Sequence, residues 1–179
     1  YAFIPSRTGN SKTLSNLKDF FKLAGYDVKV LIGKPSIFEA YSEALRECKV
    51  KATDKVVMCH DDIEILSKTE AFNTVLDAHF KKPKAGFLGV AGTRYFPDHA
   101  VWWNGYGVDH KPMNPQNPLC GFIFHGKTPE SMRAEVYGAQ ANTVVMDGVF
   151  LAATGAVLNS IQISKPKSFE GGWHFYDVF

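Results

Sequence analysis

Two adjacent carboxylates, Asp61 and Asp62, follow His60 directly after the apolar run Lys55-Val56-Val57-Met58-Cys59. Where a backbone turns out of a buried strand, such a pair can hold a hard divalent ion, Mg²⁺ or Mn²⁺, that keeps open positions for phosphate oxygens. The same pair can equally cap the next helix, a place Asp favours. A second polar cluster, Ser6-Arg7-Thr8-Gly9-Asn10-Ser11-Lys12-Thr13, follows the first apolar run and opens a helical pattern. Free N–H groups and the helix dipole there suit a phosphate, and Arg7 adds a planar fork for phosphate or a base edge. The stretch departs from the pattern G-x-x-x-x-G-K-[ST], because Ser6 and Ser11 stand where Gly is required. An N-cap loop accounts for it better than a P-loop kinase does.

Near the other end, Trp173, His174, Phe175 and Tyr176 precede Asp177. A carboxylate in apolar surroundings has a raised pKa and suits general-base work, or it is a buried hydrogen-bonded Asp tying two loops together. Asp147-Gly148 closes another apolar run, where a lone Asp is commonly a turn residue. Trp102-Trp103 can present an aromatic face to a sugar ring, or divide between core and surface. His99, His110, His125 and His174 lack the spacing of metal ligands, and only His174 is singled out by its aromatic company.

The elements that must position these residues are read from periodicity. Alternation and short apolar runs predict strands over 2–4, 26–32, 55–59, 87–91, 121–124 and 143–146, the first stopped by Pro5. Leu14, Leu17, Phe20 and Phe21 recur at helical spacing with Gly25 as a stop; Ile37, Ala40, Tyr41 and Ala44 do so after Ser36 as N-cap; Phe72, Val75, Leu76 and Phe80 mark a third helix. The stretch 148–159 reads as a strand and then a short helix. Alternating strands and helices with short links predict a mainly parallel sheet covered on both faces. Ligands of such sheets sit outside the carboxyl ends of the strands, which here carry Pro5-Ser6-Arg7, Ile32-Gly33-Lys34 and His60-Asp61-Asp62. Between residues 92 and 118 periodicity gives way to dense Gly, Pro, Trp and Asn, the texture of a functional loop or lid.

Composition bounds the reading. The chain has 179 residues, enough for one domain without a visible linker. At 45% hydrophobic and 21% charged it is globular rather than disordered. A net charge of +2 does not suggest a nucleic-acid or membrane-surface binder, and no apolar run is long enough for a membrane span. The opening residues read as a core strand and not as a secretory signal, so a cytoplasmic location is expected. Cys48, Cys59 and Cys120 form neither a disulfide framework nor a zinc site and read as buried reduced thiols.

Taken in order, these pieces resemble the nucleotide-sugar glycosyltransferases of the GT-A fold, family 2 type. The likeness is strongest to the subgroup whose strands end in His-Asp-Asp and whose last motif reads Gly-(Phe/Trp)-His-Phe-Tyr-Asp. Val57-Met58-Cys59-His60-Asp61-Asp62 and Gly171-Gly172-Trp173-His174-Phe175-Tyr176-Asp177 carry it, within a span from Phe3 to Asp177. The chain is similar as well to the amino-terminal domain of capsid-glycosylating transferases of large algal viruses, which would place it in a host cytoplasm. The resemblance implies a GT-A (Rossmann-like) fold over 1–179, with a nucleotide-binding half, 1–92, and a loop-rich acceptor and catalytic half, 93–179. It implies a nucleotide-sugar donor, chiefly a UDP-sugar, a glycan or glycoprotein acceptor, and Mn²⁺ or Mg²⁺. Pro5, Ser6, Arg7, Lys34, His60 and Asp61 would bind the nucleotide. Asp62, Asp61 and His174 would hold the metal. Asp177 would be the catalytic base of an inverting enzyme, with Asp147 beside the donor sugar or acceptor. Trp102, Trp103, Gly148 and Trp173 would meet sugar or acceptor.

This chain departs from the pattern in two places. His60 opens the acidic motif where many relatives have Asp, and Tyr176-Asp177-Val178-Phe179 stands where the subgroup often reads Tyr-Asp-x-Asp. These differences leave the acceptor site and the inverting or retaining outcome open. Two other classes compete: a nucleotidyltransferase or small kinase on a similar sheet, and a non-catalytic glycan-binding module, since fold alone does not establish activity.

Overall fold

The structure is a computed structural model, and it describes residues 1–94, 118–126, 128–161 and 163. They fall into two compact units, one of Tyr1–Leu88 with the return of the chain from Gly148, the other of Gly89–Asp147.

The first unit is built on a run of apolar residues, Ala2–Ser6, that forms β1 and is buried along its whole length. The strand continues through Pro5 instead of stopping there. It pairs in parallel with β2, Val28–Ile32, from Ala2 opposite Val28 to Ser6 opposite Ile32. On its other side β3, Lys55–Cys59, pairs in parallel only with Ala2 and Phe3. Beyond Phe3 that side carries no ladder among the described residues, so a residue without an N–H is tolerated. β9, Phe150–Thr154, returns antiparallel to β3 with Phe150 opposite Cys59, and β4, Leu88–Gly89, completes the order β2-β1-β3-β9-β4.

Polar residues set the helix starts. Ser11 caps α1, Lys12–Leu23, its hydroxyl accepting the Leu14 N–H at 3.0 Å, and Gly25 at φ +87° lets the chain leave the helix. Ser36 caps α2, Ile37–Cys48, accepting the Glu39 N–H at 3.2 Å and donating to the Glu39 carboxylate at 2.8 Å. α3, Thr69–Phe80, starts after Lys68 with no side-chain cap. Stretch 148–159 resolves into β9 and α4, Gly155–Asn159, as expected.

Strand alternation divides the core. Ala2, Ile4, Val57, Cys59, Phe150 and Ala152 point to the face covered by Leu14, Leu17 and Phe21 of α1 and by Phe72 and Leu76 of α3. The Phe72 ring meets Phe20, Phe21, Tyr26 and Phe150 edge-on, with centroids 5.3–6.0 Å apart. Phe3, Val56 and Met58 turn to the opposite face, and α2 packs on β1 and β2 with Phe38, Tyr41 and Ala44 buried. The mostly parallel sheet thus has helices on both faces. No helix among the described residues is long and apolar enough to cross a membrane. All three cysteines are unpaired; Cys59 and Cys120 are buried, whereas Cys48 is half-buried.

The second unit is a four-stranded sheet in the order β7-β6-β5-β8, antiparallel at each pairing. Its strands are β5, Ala91–Thr93; β6, Leu119–His125; β7, Arg133–Gly138; and β8, Val145–Met146. The strand expected over 87–91 is therefore two strands in two sheets. The apolar run is continuous, but the chain changes partners at Val90, whose carbonyl accepts the Phe122 N–H at 3.2 Å. β7 has no counterpart in the sequence reading, because Arg133, Glu135 and Val136 are all exposed and no buried alternation marks it. A small core of Ala91, Leu119, Tyr137 and Val145 holds this sheet together.

Candidate functional site

β1, β2 and β3 run parallel, so Ser6, Ile32 and Cys59 end at one edge and the three polar turns after them share it. β9 begins at that edge, and the His60 N–H donates to the Val149 carbonyl at 3.1 Å, which sets Gly148-Val149 beside the acidic turn. That backbone contact joins residues distant in the chain and had no signal in the sequence.

The turn after β1 is tied to the turn after β3 by a side chain. The Ser6 hydroxyl donates to Asp61 Oδ2 at 2.5 Å and accepts the Gly9 N–H at 3.0 Å. The Ser6 carbonyl accepts the Gly33 N–H at 3.4 Å, which brings the turn after β2 into the same knot. Gly9 sits at φ +73°, and a Cβ there would run into the Ile32 side chain, so the turn requires glycine. Pro5 and Ser6 are buried while Arg7 is exposed at the rim, with no ion pair among the described residues.

The acidic pair is not a helix cap. α3 begins at Thr69, and neither Asp61 nor Asp62 lies at its N-terminus. Asp62 projects into solvent at 81% exposure, with His60 Nδ1 3.9 Å from its carboxylate. Directly beneath, burial pushes the Cys59 thiol pKa up, and the charge of Asp61 adds to the effect. Lys34 is at the expected edge, but its ammonium is engaged by Glu43 of α2 at 2.5 Å, a partner that sequence spacing did not indicate. Asp147 belongs to the second unit, where it follows β8 and its N–H donates to the Ala91 carbonyl at 2.9 Å. Trp102, Trp103, Trp173, His174 and Asp177 lie outside the described residues.

Among the described residues no three His, Cys, Asp or Glu side chains gather as a metal-holding group. A divalent ion bridged to a diphosphate needs only one or two protein carboxylates, the remaining ligands being phosphate oxygens and water. Exposed Asp62 and tethered Asp61 meet that number, so the residues fit such an ion.

No curated protein matches the chain. A family model described as a glycosyltransferase-like family matches residues 11–179, a span that includes the His60-Asp61-Asp62 turn and begins after Pro5-Ser6-Arg7. The mixed α/β architecture, with its mostly parallel central sheet and flanking helices, is consistent with a GT-A-like fold. With that match running over nearly its whole length, the chain belongs to the glycosyltransferase-like family.

Proposed function

We propose that the chain moves a sugar from a nucleoside-diphosphate donor, a UDP-sugar, to a hydroxyl of a glycan or glycoprotein, in the manner of the His-Asp-Asp subgroup of family 2 transferases. The observation that carries this reading is the Ser6–Asp61 hydrogen bond, which joins the turn after β1 to the acidic turn after β3. Both turns stand at the carboxyl edge of parallel strands, where sheets of this kind bind nucleotides. In this reading Arg7, exposed at the rim of the turn after β1, receives the diphosphate, and His60 and Asp61 face the nucleoside and sugar. Asp62, with Asp61 and His174, would hold Mn²⁺ or Mg²⁺. Such an ion, when bound, neutralises charge that develops on the leaving diphosphate. Asp177 accepts the proton of the acceptor hydroxyl, which is a poor nucleophile until that proton is shared. Asp147 and Gly148 border the donor sugar, and Trp102, Trp103 and Trp173 offer flat apolar faces to sugar rings.

The kinase alternative loses support from the first turn. The N–H groups of Gly9 and Leu14, which a P-loop would direct at phosphate, are taken by the Ser6 and Ser11 hydroxyls. Incubation with Mn²⁺ and a panel of nucleotide sugars, with released nucleoside diphosphate measured, tests the proposal. Release from a UDP-sugar that rises with added acceptor is the expected result. Turnover of a nucleoside triphosphate instead would move the chain to nucleotidyl or phosphoryl transfer. Sugar binding with no turnover of any donor would make it a glycan-binding module.

A further inference from the structure

We infer that Ser6 is a positioning residue that aims the Asp61 carboxylate at the nucleotide without touching the nucleotide itself; the inference rests on the nucleotide-sugar reading above. A serine hydroxyl has one proton to give and lone pairs to accept with. The proton of Ser6 goes to Asp61 Oδ2, and the Gly9 N–H is accepted in return. At 2% exposure the residue has no surface left for a ligand. The turn after β1 is thus represented at the surface by Arg7 and its neighbours, while Ser6 works from below.

The connection spans 55 residues of sequence and crosses from one strand end to the next. A carboxylate held at one oxygen cannot swing about its terminal bond, so Oδ1 keeps one direction. Such preorganisation strengthens whatever polar contact Asp61 makes with a ligand, because the ordering has been done before binding. The same hydroxyl anchors the Gly9 amide, so the phosphate-facing turn and the acidic turn are set together. Without it, Asp61 Oδ2 and the Gly9 N–H both lose a partner inside the protein. Asp62 has no such tether in the described geometry and projects into solvent. The two acids therefore differ in kind: Asp61 is fixed by the fold, and Asp62 waits for its ligand.

A double-mutant cycle on the full chain tests this: wild type, Ser6→Ala, Asp61→Ala and the double variant, each titrated calorimetrically with UDP in excess Mn²⁺. Thermal unfolding of each variant is recorded alongside. Loss of a hydrogen bond to a charged group predicts roughly tenfold weaker UDP binding for Ser6→Ala. Ser6→Thr, which keeps the hydroxyl, is expected to return affinity to within about threefold of wild type. In the Asp61→Ala background, Ser6→Ala is expected to cost less than about twofold, since the group it acts through is gone. If Ser6→Ala does not fold, Ser6→Cys, similar in size with only a weak donor, takes its place with the same expectations. Unchanged binding by the Ser6 variant, or the same loss with and without Asp61, would overturn the inference while leaving the transferase reading in place. Wild-type protein that binds none of UDP, GDP or dTDP would overturn both.

Discussion

The two units of this chain place polar and apolar side chains in opposite ways. In the first, the bodies of β1 and β3 are buried and polar chemistry is concentrated in the turns at the carboxyl ends of β1, β2 and β3. In the second, the bodies of β6 and β7 meet water: Phe122, Phe124 and Val136 are exposed on one face, and His125 and Glu135 pair at 3.2 Å on the other. A sheet covered on both faces by helices has little besides its strand ends with which to bind a ligand. An antiparallel sheet can leave one face wet and needs no ligand to justify it. In the proposed transferase the turns at the strand ends of the first unit, Ser6-Arg7 and His60-Asp61-Asp62, are the ones that would meet the nucleotide.

The sharpest break would come from the proposed base. Asp177→Asn should lower sugar transfer by about 10²- to 10⁴-fold, the usual contribution of a general base, while UDP affinity stays near wild type. Equal transfer by the variant would remove that role and shift the chemistry away from the late aromatic segment. Next in size is the packing of the first unit. Phe72→Ala removes the ring at the centre of four aromatic contacts and should cost about 3–5 kcal/mol in urea unfolding. A cost below about 1 kcal/mol would mean that the first unit is not held by this cluster.

Asp62→Ala should abolish the Mn²⁺-dependent part of UDP binding and leave thermal stability almost unchanged, as its carboxylate is exposed. A smaller effect concerns alkaline pH. Burial pushes the Cys59 thiol up from its ordinary 9.0 and the Tyr26 phenol up to about 12. Both groups are kept neutral by the fold, so the stability they contribute is full below about pH 8.5 and declines as pH rises past their unfolded values. Urea midpoints measured across that range should fall, and Cys59→Ala should flatten the decline between about pH 9 and 10. An unaltered slope in that variant would assign the effect elsewhere. The smallest change sharpens the comparison from the other side: Phe122→Ser, on the wet face of the second unit, should alter stability by no more than about 0.5 kcal/mol. A loss of several times that size would show that this face is covered in solution.

How much of this was legible in the sequence follows the same division. Short apolar runs located β1 and β3, alternation located β2, and helical spacing located all three long helices, because β1 and β3 are buried on both faces while each helix buries one. Ser36 and Gly25 were readable as a cap and a stop, since their roles are local. The second unit was harder. β6 and β7 carry charge on one face and exposed apolar residues on the other, so β7 left no alternation to find, and the run at 87–91 gave no sign of which sheet each half joins. Pro5 looked like a strand end because its missing N–H is local information, whereas the unpaired side that tolerates it depends on how short the β3 pairing is. At the site, the positions of the three turns followed from the strand ends. The Ser6–Asp61 bond and the Lys34–Glu43 pair did not, because each depends on side-chain directions set by tertiary packing.

In the proposed function, Arg7 and the His60-Asp61-Asp62 turn bind a nucleoside diphosphate together with a divalent ion. Calorimetric titration of the wild-type chain with UDP, once in excess Mn²⁺ and once in EDTA, tests it most directly. Binding on the order of micromolar with Mn²⁺ and none in EDTA is the expected result. No UDP binding in either condition, or equal binding in both, would contradict it.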